Sequence, residues 1–309
     1  MSVYLGEYLE ELFNEIEGIG KITEKKLASI TLGVQNLPKV SKDYSDRNRT
    51  SPIAFTGNKF EFRAVGSTHN CAESATVFNI LAAYGYNEIY NKLSKMKGDA
   101  KSNAIMVLKD VLKETKVVRF EGNNYDEAWH LEAEKRGLPN TKNTPAALEE
   151  FLKEDVFKVF EKLNILSREE LKSKIEIKIE AYNKVKDIEF KTAINIANTL
   201  ILPAVVEQIA SVAGALSAVI SSGLKSDALT NEVKTLEKIY SNIKSEISNL
   251  SLTLASIEEE NNIHKQAYAY GDKGTEALKK LRKYVDAAER VIADDIWPMA
   301  KYQELLLEL

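Results

Sequence analysis

From Glu73 to Leu309 the sequence reads as helix almost without interruption, and this constrains the fold more than any other feature. Only six prolines occur in 309 residues. Pro139, Pro145 and Pro298 stand in turn-like contexts, where they punctuate helices. Pro203 lies inside a helical stretch that opens at a capping box, Ser167-Arg168-Glu169-Glu170, and is expected to kink that helix without ending it. From Asp227 to about Asn262, apolar residues fall at near-heptad spacing: Val233, Leu236, Ile239, Tyr240, Ile243, Ile247, Leu250 and Leu254. A second arm, Ala277 to Ile292, repeats the spacing with Leu278, Leu281, Val285, Ala288 and Ile292. Each stripe alone would leave an apolar face in water, so an antiparallel hairpin over about 227–292 is expected. Gly271 and Gly274 interrupt the pattern and place its turn near Tyr268–Gly274.

The first seventy residues have a different texture. Leu5, Leu9, Leu12, Phe13 and Ile16 fall at helical spacing, with Gly18 and Gly20 ending the run, and Ile30 to Val34 alternates as a short strand. Lys59-Phe60-Glu61-Phe62-Arg63 alternates charge and aromatic ring with the period of a strand, so residues two apart share a face. Lys59, Glu61 and Arg63 then line a cleft while Phe60 and Phe62 enter a core. Arg47 and Arg49, two residues apart, repeat the device. The fold expected is α+β and predominantly α-helical. A few antiparallel strands lie within 1–98, and a long helical region with the hairpin fills 99–309.

Composition removes several classes of function. With 44% hydrophobic and 28% charged residues, the chain can bury a core. A net charge of −4 offers no electrostatic footprint for nucleic acid. The single cysteine, Cys71, excludes an internal disulfide and a cysteine-built metal site. The start, Met1-Ser2-Val3-Tyr4-Leu5-Gly6-Glu7, lacks the basic residues of a signal peptide. Leu200–Ile220 is long enough to span a bilayer, but Glu207 and Gln208 near its middle argue against insertion. A cytoplasmic, soluble chain is the expectation. His130 with Glu134, one helical turn on, is a two-ligand cluster and reads as a solvated helix face. His264 is expected to be exposed, and Asp294-Asp295 before Trp297 to serve packing or subunit contact.

The string Asp46-Arg47-Asn48-Arg49-Thr50-Ser51-Pro52, followed by Phe55 to Ser67, closely resembles glutamine synthetase of the large type III class. Asn79 to Leu93, Arg119-Phe120-Glu121-Gly122 through Tyr125, Glu132 to Pro139, Asn143-Thr144-Pro145 and Trp297-Pro298 through Leu306 resemble the same class. The resemblance implies an ATP-dependent ligase that phosphorylates the side-chain carboxylate of glutamate and lets ammonia displace the phosphate, using Mg2+ or Mn2+. It implies that Glu61 is a metal ligand and that Arg63 binds the glutamate substrate. It also implies that Arg49 contacts the transferred phosphate as a catalytic residue, and that Arg49 and Lys59 lie near the nucleotide. The shorter bacterial class has a further phosphate-contacting arginine near Ala54, where this chain has no cation.

The family's other metal carboxylates, its amino-terminal domain and its glycine-rich glutamate loop match nothing here. The resemblance therefore implies a carboxyl-terminal half of a synthetase, starting at an internal methionine and inactive alone. Its partners would be a complementing amino-terminal half or full-length synthetase subunits, with homo-oligomers as a further form. The alternative is a non-catalytic helical interaction or regulatory protein that binds a full-length synthetase. A neighbouring gene encoding the missing half would favour the split enzyme.

Overall fold

The structure is a computed structural model that describes residues 2–19, 50–57, 59–63, 66 and 70–307. Ile30–Val34, Arg47 and Arg49 lie outside the described residues. Backbone proximity divides the chain into two compact units, Met1–Thr141 with Val159–Ile165, and Lys142–Lys158 with Leu166–Leu309.

The first unit contains a three-stranded sheet, β1 (Val3–Tyr4), β2 (Ile53–Phe55) and β3 (Phe60–Phe62), in the order β1-β2-β3. β1 pairs with β2 in parallel, not in the antiparallel fashion expected, because a long connection that includes α1, and not a tight turn, separates them; Val3 stands opposite Ile53 and Tyr4 opposite Ala54. β2 pairs with β3 in antiparallel fashion, Ala54 opposite Glu61. Ala54, in the middle strand, is fully buried. α1 (Glu7–Glu17) carries the expected apolar face and ends at Gly18, whose φ of 83° is left-handed. The amides of Gly18 and Ile19 close back on Glu15 O and Asn14 O, satisfying carbonyls the helix leaves open. α2 (Ala72–Leu93) and α3 (Ala100–Thr115) follow, joined by an ion pair from Lys92 to Glu114 at 3.0 Å. Asp99 caps α3 by accepting Ser102 N–H at 2.8 Å. α4 (Glu127–Lys135) closes before Gly137 and Pro139. Its Trp129 stacks on Phe120 with ring centroids 4.1 Å apart.

In the second unit α5 (Thr144–Glu149) starts at Asn143, which accepts Ala146 N–H, with Pro145 in the first turn where its missing N–H costs nothing. α6 (Glu154–Lys162) leads out of this unit. α7 (Arg168–Ile196) opens at the expected capping box: Ser167 Oγ accepts Glu170 N–H at 3.2 Å and the Glu170 carboxylate accepts Ser167 N–H at 2.8 Å. A π-helical turn, Ala197–Ile201, joins it to α8 (Leu202–Ser221) without a break. Pro203 sits in the first turn after this wider turn, whose altered hydrogen-bond register absorbs the proline. The continuous run Arg168–Ser221 is long and apolar enough, by length and composition, to cross a membrane; the relevant window has a mean hydropathy of 1.6. Its Ile201 and Val205 are fully buried in the core shared with α9 (Asp227–Glu258), and Gln208 accepts Ala293 N–H at 3.1 Å.

The stripe on α9 is buried as its spacing dictates, at Leu236, Ile239, Ile243, Ile247, Leu250, Leu254 and Ile257. The chain then doubles back through α10 (Ile263–Ala269), a π-helical turn at Tyr270–Gly274 and α11 (Thr275–Glu289), which packs along α9. Ala277, Leu281, Ala288 and Ile292 of the second arm are buried. The turn is not at Tyr268–Gly274. It lies at residues 259–262, where Asn262 caps α10 by accepting His264 N–H and Lys265 N–H at 3.0 Å each. Gly271 and Gly274 stay helical and serve close approach: a Cβ on Gly274 would meet the Phe190 ring at 2.3 Å. α12 (Tyr302–Leu307) follows near the carboxyl end.

Candidate functional site

β3 is a three-residue strand, and its flanking residues extend the alternation. Thr56 N–H and Arg63 N–H continue the ladder to Lys59 O and Pro52 O, so Lys59 and Arg63 are held in register with Glu61. The three charged side chains meet. Arg63 donates from Nε and Nη2 to Glu61 Oε2 at 3.1 and 2.7 Å, and Lys59 Nζ stands 3.4 Å from Oε1. Thr56 Oγ1 also lies 3.4 Å from Oε1. The Arg63 hydrogen bond, with a smaller contribution from Lys59, outweighs the loss of solvent and holds the Glu61 carboxyl below its ordinary value of 4.5. Glu61 is therefore a carboxylate at neutral pH. Arg63 Nη1 is out of contact with solvent and has no partner among the described residues.

The reverse face departs from expectation. Phe62 is half-buried, edge-on to Phe78 of α2 at 5.0 Å. Phe60, expected to be buried, is 61% exposed and touches Phe55 at 5.2 Å. Alternation specifies which side of a strand a residue occupies, and not whether a second layer covers that side. Here α2 covers the Phe62 end only.

Arg49 lies outside the described residues. Among the described residues, no group of three or more His, Cys, Asp and Glu side chains is arranged to hold a metal ion. Glu61 is one carboxylate, already engaged by two cations, whereas Mg2+ takes near-octahedral oxygen ligands. The residues described do not by themselves fit the metal that the family resemblance implies. Glu132 is paired to Arg136 at 2.9 Å. His264 is not exposed as expected: it is half-buried, with Nδ1 3.5 Å from Glu149, because α10 turns it inward beside α5. Asp294 engages Lys301 and Trp297 is buried, consistent with a packing role for that segment.

A second cluster, which the sequence reading did not single out as functional, underlies the sheet. Residues 119–124 run beside β1: Arg119 makes a parallel bridge with Val3, and Phe120 N–H donates to Val3 O at 3.1 Å. The Glu121 carboxylate accepts Leu5 N–H at 3.0 Å on one oxygen and Gly6 N–H at 2.9 Å on the other. Asn124 N–H donates to Thr50 O at 2.8 Å, and its side chain meets the buried Ser2 hydroxyl. Arg119 is itself buried. It binds Glu17, stands 3.3 Å from Glu10, donates to Leu112 O at 3.2 Å and lies over the Phe13 ring. Burial opposes ionisation of Glu17, but the hydrogen bond and charge of Arg119, helped by Lys116, prevail and hold its carboxyl below 4.5. The only sequence signal for this cluster was the family-like string Arg119-Phe120-Glu121-Gly122. Its partners in β1 and α1 lie more than 100 residues away, beyond the reach of local pattern.

Comparison with known proteins shows what the chain is similar to. The glutamine synthetase C-terminal domain family matches residues 103–219. Residues 103–219 are thus similar to a glutamine synthetase C-terminal domain. Over 314 residues it is 33% identical to the type-3 glutamine synthetase of Dictyostelium discoideum, covering 99% of this chain and 43% of that protein. It is 32% identical over 318 residues to a glutamine synthetase of Bacteroides fragilis (strain YCH46), covering 99% of this chain and 44% of the relative. Against a glutamine synthetase of Butyrivibrio fibrisolvens the identity is 30% over 326 residues, covering all of this chain and 44% of the relative. The type III resemblance read from the sequence holds, and so does the mostly helical α+β fold. The chain spans under half the length of the curated relatives it matches.

Proposed function

We propose that this chain supplies the carboxyl-terminal portion of an ATP-dependent glutamate–ammonia ligase and needs the rest of a synthetase to act. The observation that carries the reading is the Glu61–Arg63 pair, two residues apart on one strand face in a chain whose relatives are glutamine synthetases. Arg63 has an arm to spare: with Nε and Nη2 on Glu61, its buried Nη1 has no partner among the described residues. A guanidinium so oriented suits the carboxylate of glutamate. Lys59, more exposed than the other two and only loosely held by Glu61, suits a nucleotide phosphate. Arg49, by resemblance, completes the phosphate contacts.

Glu61 would hold Mg2+ or Mn2+ together with carboxylates from the amino-terminal portion that the relatives carry. The metal would neutralise the phosphoryl group being transferred. Glutamate, ammonia and ATP are the substrates on this reading, and the location is cytoplasmic. The division of the chain near residue 98 into catalytic core and helical extension is supported by the start of the family match at 103, although the first compact unit runs on to Thr141. A second reading, a non-catalytic module that binds a synthetase, is favoured by the shortage of metal-holding groups among the described residues.

The test is a chimera in which this chain replaces the matching portion of the Dictyostelium discoideum enzyme. Glutamine formation that Glu61→Ala and Arg63→Ala abolish supports the ligase. A folded chimera with no turnover supports the module.

A further inference from the structure

We propose that Glu121 and Asn124 are positioning residues for the Lys59–Glu61–Arg63 face, so that the C-terminal domain builds part of the sheet that carries the candidate site. Both fall within residues 103–219, the stretch that matches the C-terminal domain. The inference rests on the reading of that face as the substrate side of a synthetase only for its catalytic consequence; the mechanical claim stands on geometry alone.

The chain of contacts is short and continuous. Glu121 takes two backbone amides, Leu5 and Gly6, one on each carboxylate oxygen. These donors stand at the amino end of α1, where a negative charge is favoured and where backbone N–H groups lack helical partners. Leu5 follows β1 directly, so the carboxylate fixes where β1 ends. Phe120 and Arg119 fix its other side through the Val3 bridge. β1 pairs with β2 at two residue pairs, and β2 pairs with β3 at three, with Ala54 opposite Glu61. Asn124 holds the approach to β2 by donating to Thr50 O and steadies Ser2 ahead of β1. Strands this short have little pairing of their own to set their register, so an anchored neighbour sets it for them. Arg63 and Glu61 are thereby placed by residues about sixty positions away along the chain.

The experiment uses the full chain labelled with 15N. It compares wild type with Glu121→Ala, Glu121→Gln and Asn124→Ala. The readouts are the Nε–Hε signal of Arg63, assigned with Arg63→Lys, and hydrogen exchange of the Ala54 and Glu61 amides. In Glu121→Ala, loss of two charge-assisted hydrogen bonds should speed exchange at Ala54 and Glu61 by about tenfold and shift or broaden the Arg63 signal. Glu121→Gln keeps one acceptor and should give a smaller change in the same direction. If Glu121→Ala fails to fold, Asn124→Ala decides the matter by the same two readouts.

Fast exchange confined to Leu5 and Gly6, with Ala54, Glu61 and Arg63 unchanged, would overturn the proposal and leave Glu121 as a cap on α1 alone. In the chimera, Glu121→Gln should raise KM for glutamate more than it lowers kcat. A chimera without turnover, in a chain whose Arg63 signal still responds to Glu121, sinks the ligase reading and spares this one. Turnover with an unresponsive Arg63 does the reverse.

Discussion

Gly274 permits a sharp test of how the helical unit is packed. Replacing it with alanine adds one methyl group. The new Cβ would lie 2.3 Å from Cε2, 3.0 Å from Cζ and 3.3 Å from Cδ2 of Phe190. Phe190 is fully buried and belongs to the main core cluster, so its ring has no free space into which to retreat. Overpacking of this kind costs about 1–3 kcal/mol, and three ring atoms within 3.3 Å place this case near the upper end. Alanine in a helix gains about 1 kcal/mol over glycine, which offsets part of the cost. The net expectation is destabilisation by about 2 kcal/mol.

Gly214, on the exposed side of α8, supplies the control: a Cβ there meets nothing within 4 Å, and Gly214→Ala should stabilise by about 0.5–1 kcal/mol. The same chemical change thus has opposite signs at two helical positions. The assay is urea unfolding followed by circular dichroism, with hydrogen exchange to localise the loss to α7, α9 and α11. Gly274→Ala as stable as Gly214→Ala would refute the close approach of Phe190 and revive the view of Gly274 as a turn residue. Combining Gly274→Ala with Phe190→Leu should recover part of the loss if the clash is the cause.

Three further outcomes follow from the same contacts. Glu17 is held as a carboxylate against Arg119, so its contribution is complete above pH 4.5 and is lost as pH falls through its lowered value; Glu17→Gln should remove about 3 kcal/mol at pH 7 and flatten the acid limb of a stability–pH profile of the first unit. Leu281→Asp places a charge at a position 2% exposed and should cost at least about 3 kcal/mol, loosening the hairpin while amides of β2 and β3 keep their protection. Tyr268, whose hydroxyl donates to Glu149 at 2.7 Å, and Tyr270, buried beside Asp187, are both pushed up to about 12, and burial raises Tyr182 as well; absorbance at the tyrosinate band should show these phenols ionising after the exposed ones, and Glu149→Gln should bring Tyr268 back towards 10.

What was legible in the sequence was whatever depends on neighbours close along the chain. The Ser167–Glu170 capping box, the α9 stripe and the shared face of Lys59, Glu61 and Arg63 all follow from spacings of two to four residues, and the structure has each of them. Gly274 misled because a glycine in a helical pattern signals either a break or a close approach. Only Phe190, 84 positions earlier, tells which. Phe60 misled for a related reason: alternation assigns a face, but a covering layer comes from elsewhere in the fold. The Arg119–Glu17 and Glu121–Gly6 contacts span 102 and 115 positions, so no local pattern announces them.

The most direct test of the central claim is glutamine formation by the chimera that carries this chain in place of the matching 43% of the Dictyostelium discoideum type-3 glutamine synthetase. The expected result is ATP-dependent glutamine synthesis that falls by about 100-fold or more in Glu61→Ala. Arg63→Ala should raise KM for glutamate by on the order of 10- to 100-fold. A folded chimera that makes no glutamine, or one whose turnover is unchanged by Glu61→Ala, would contradict the account.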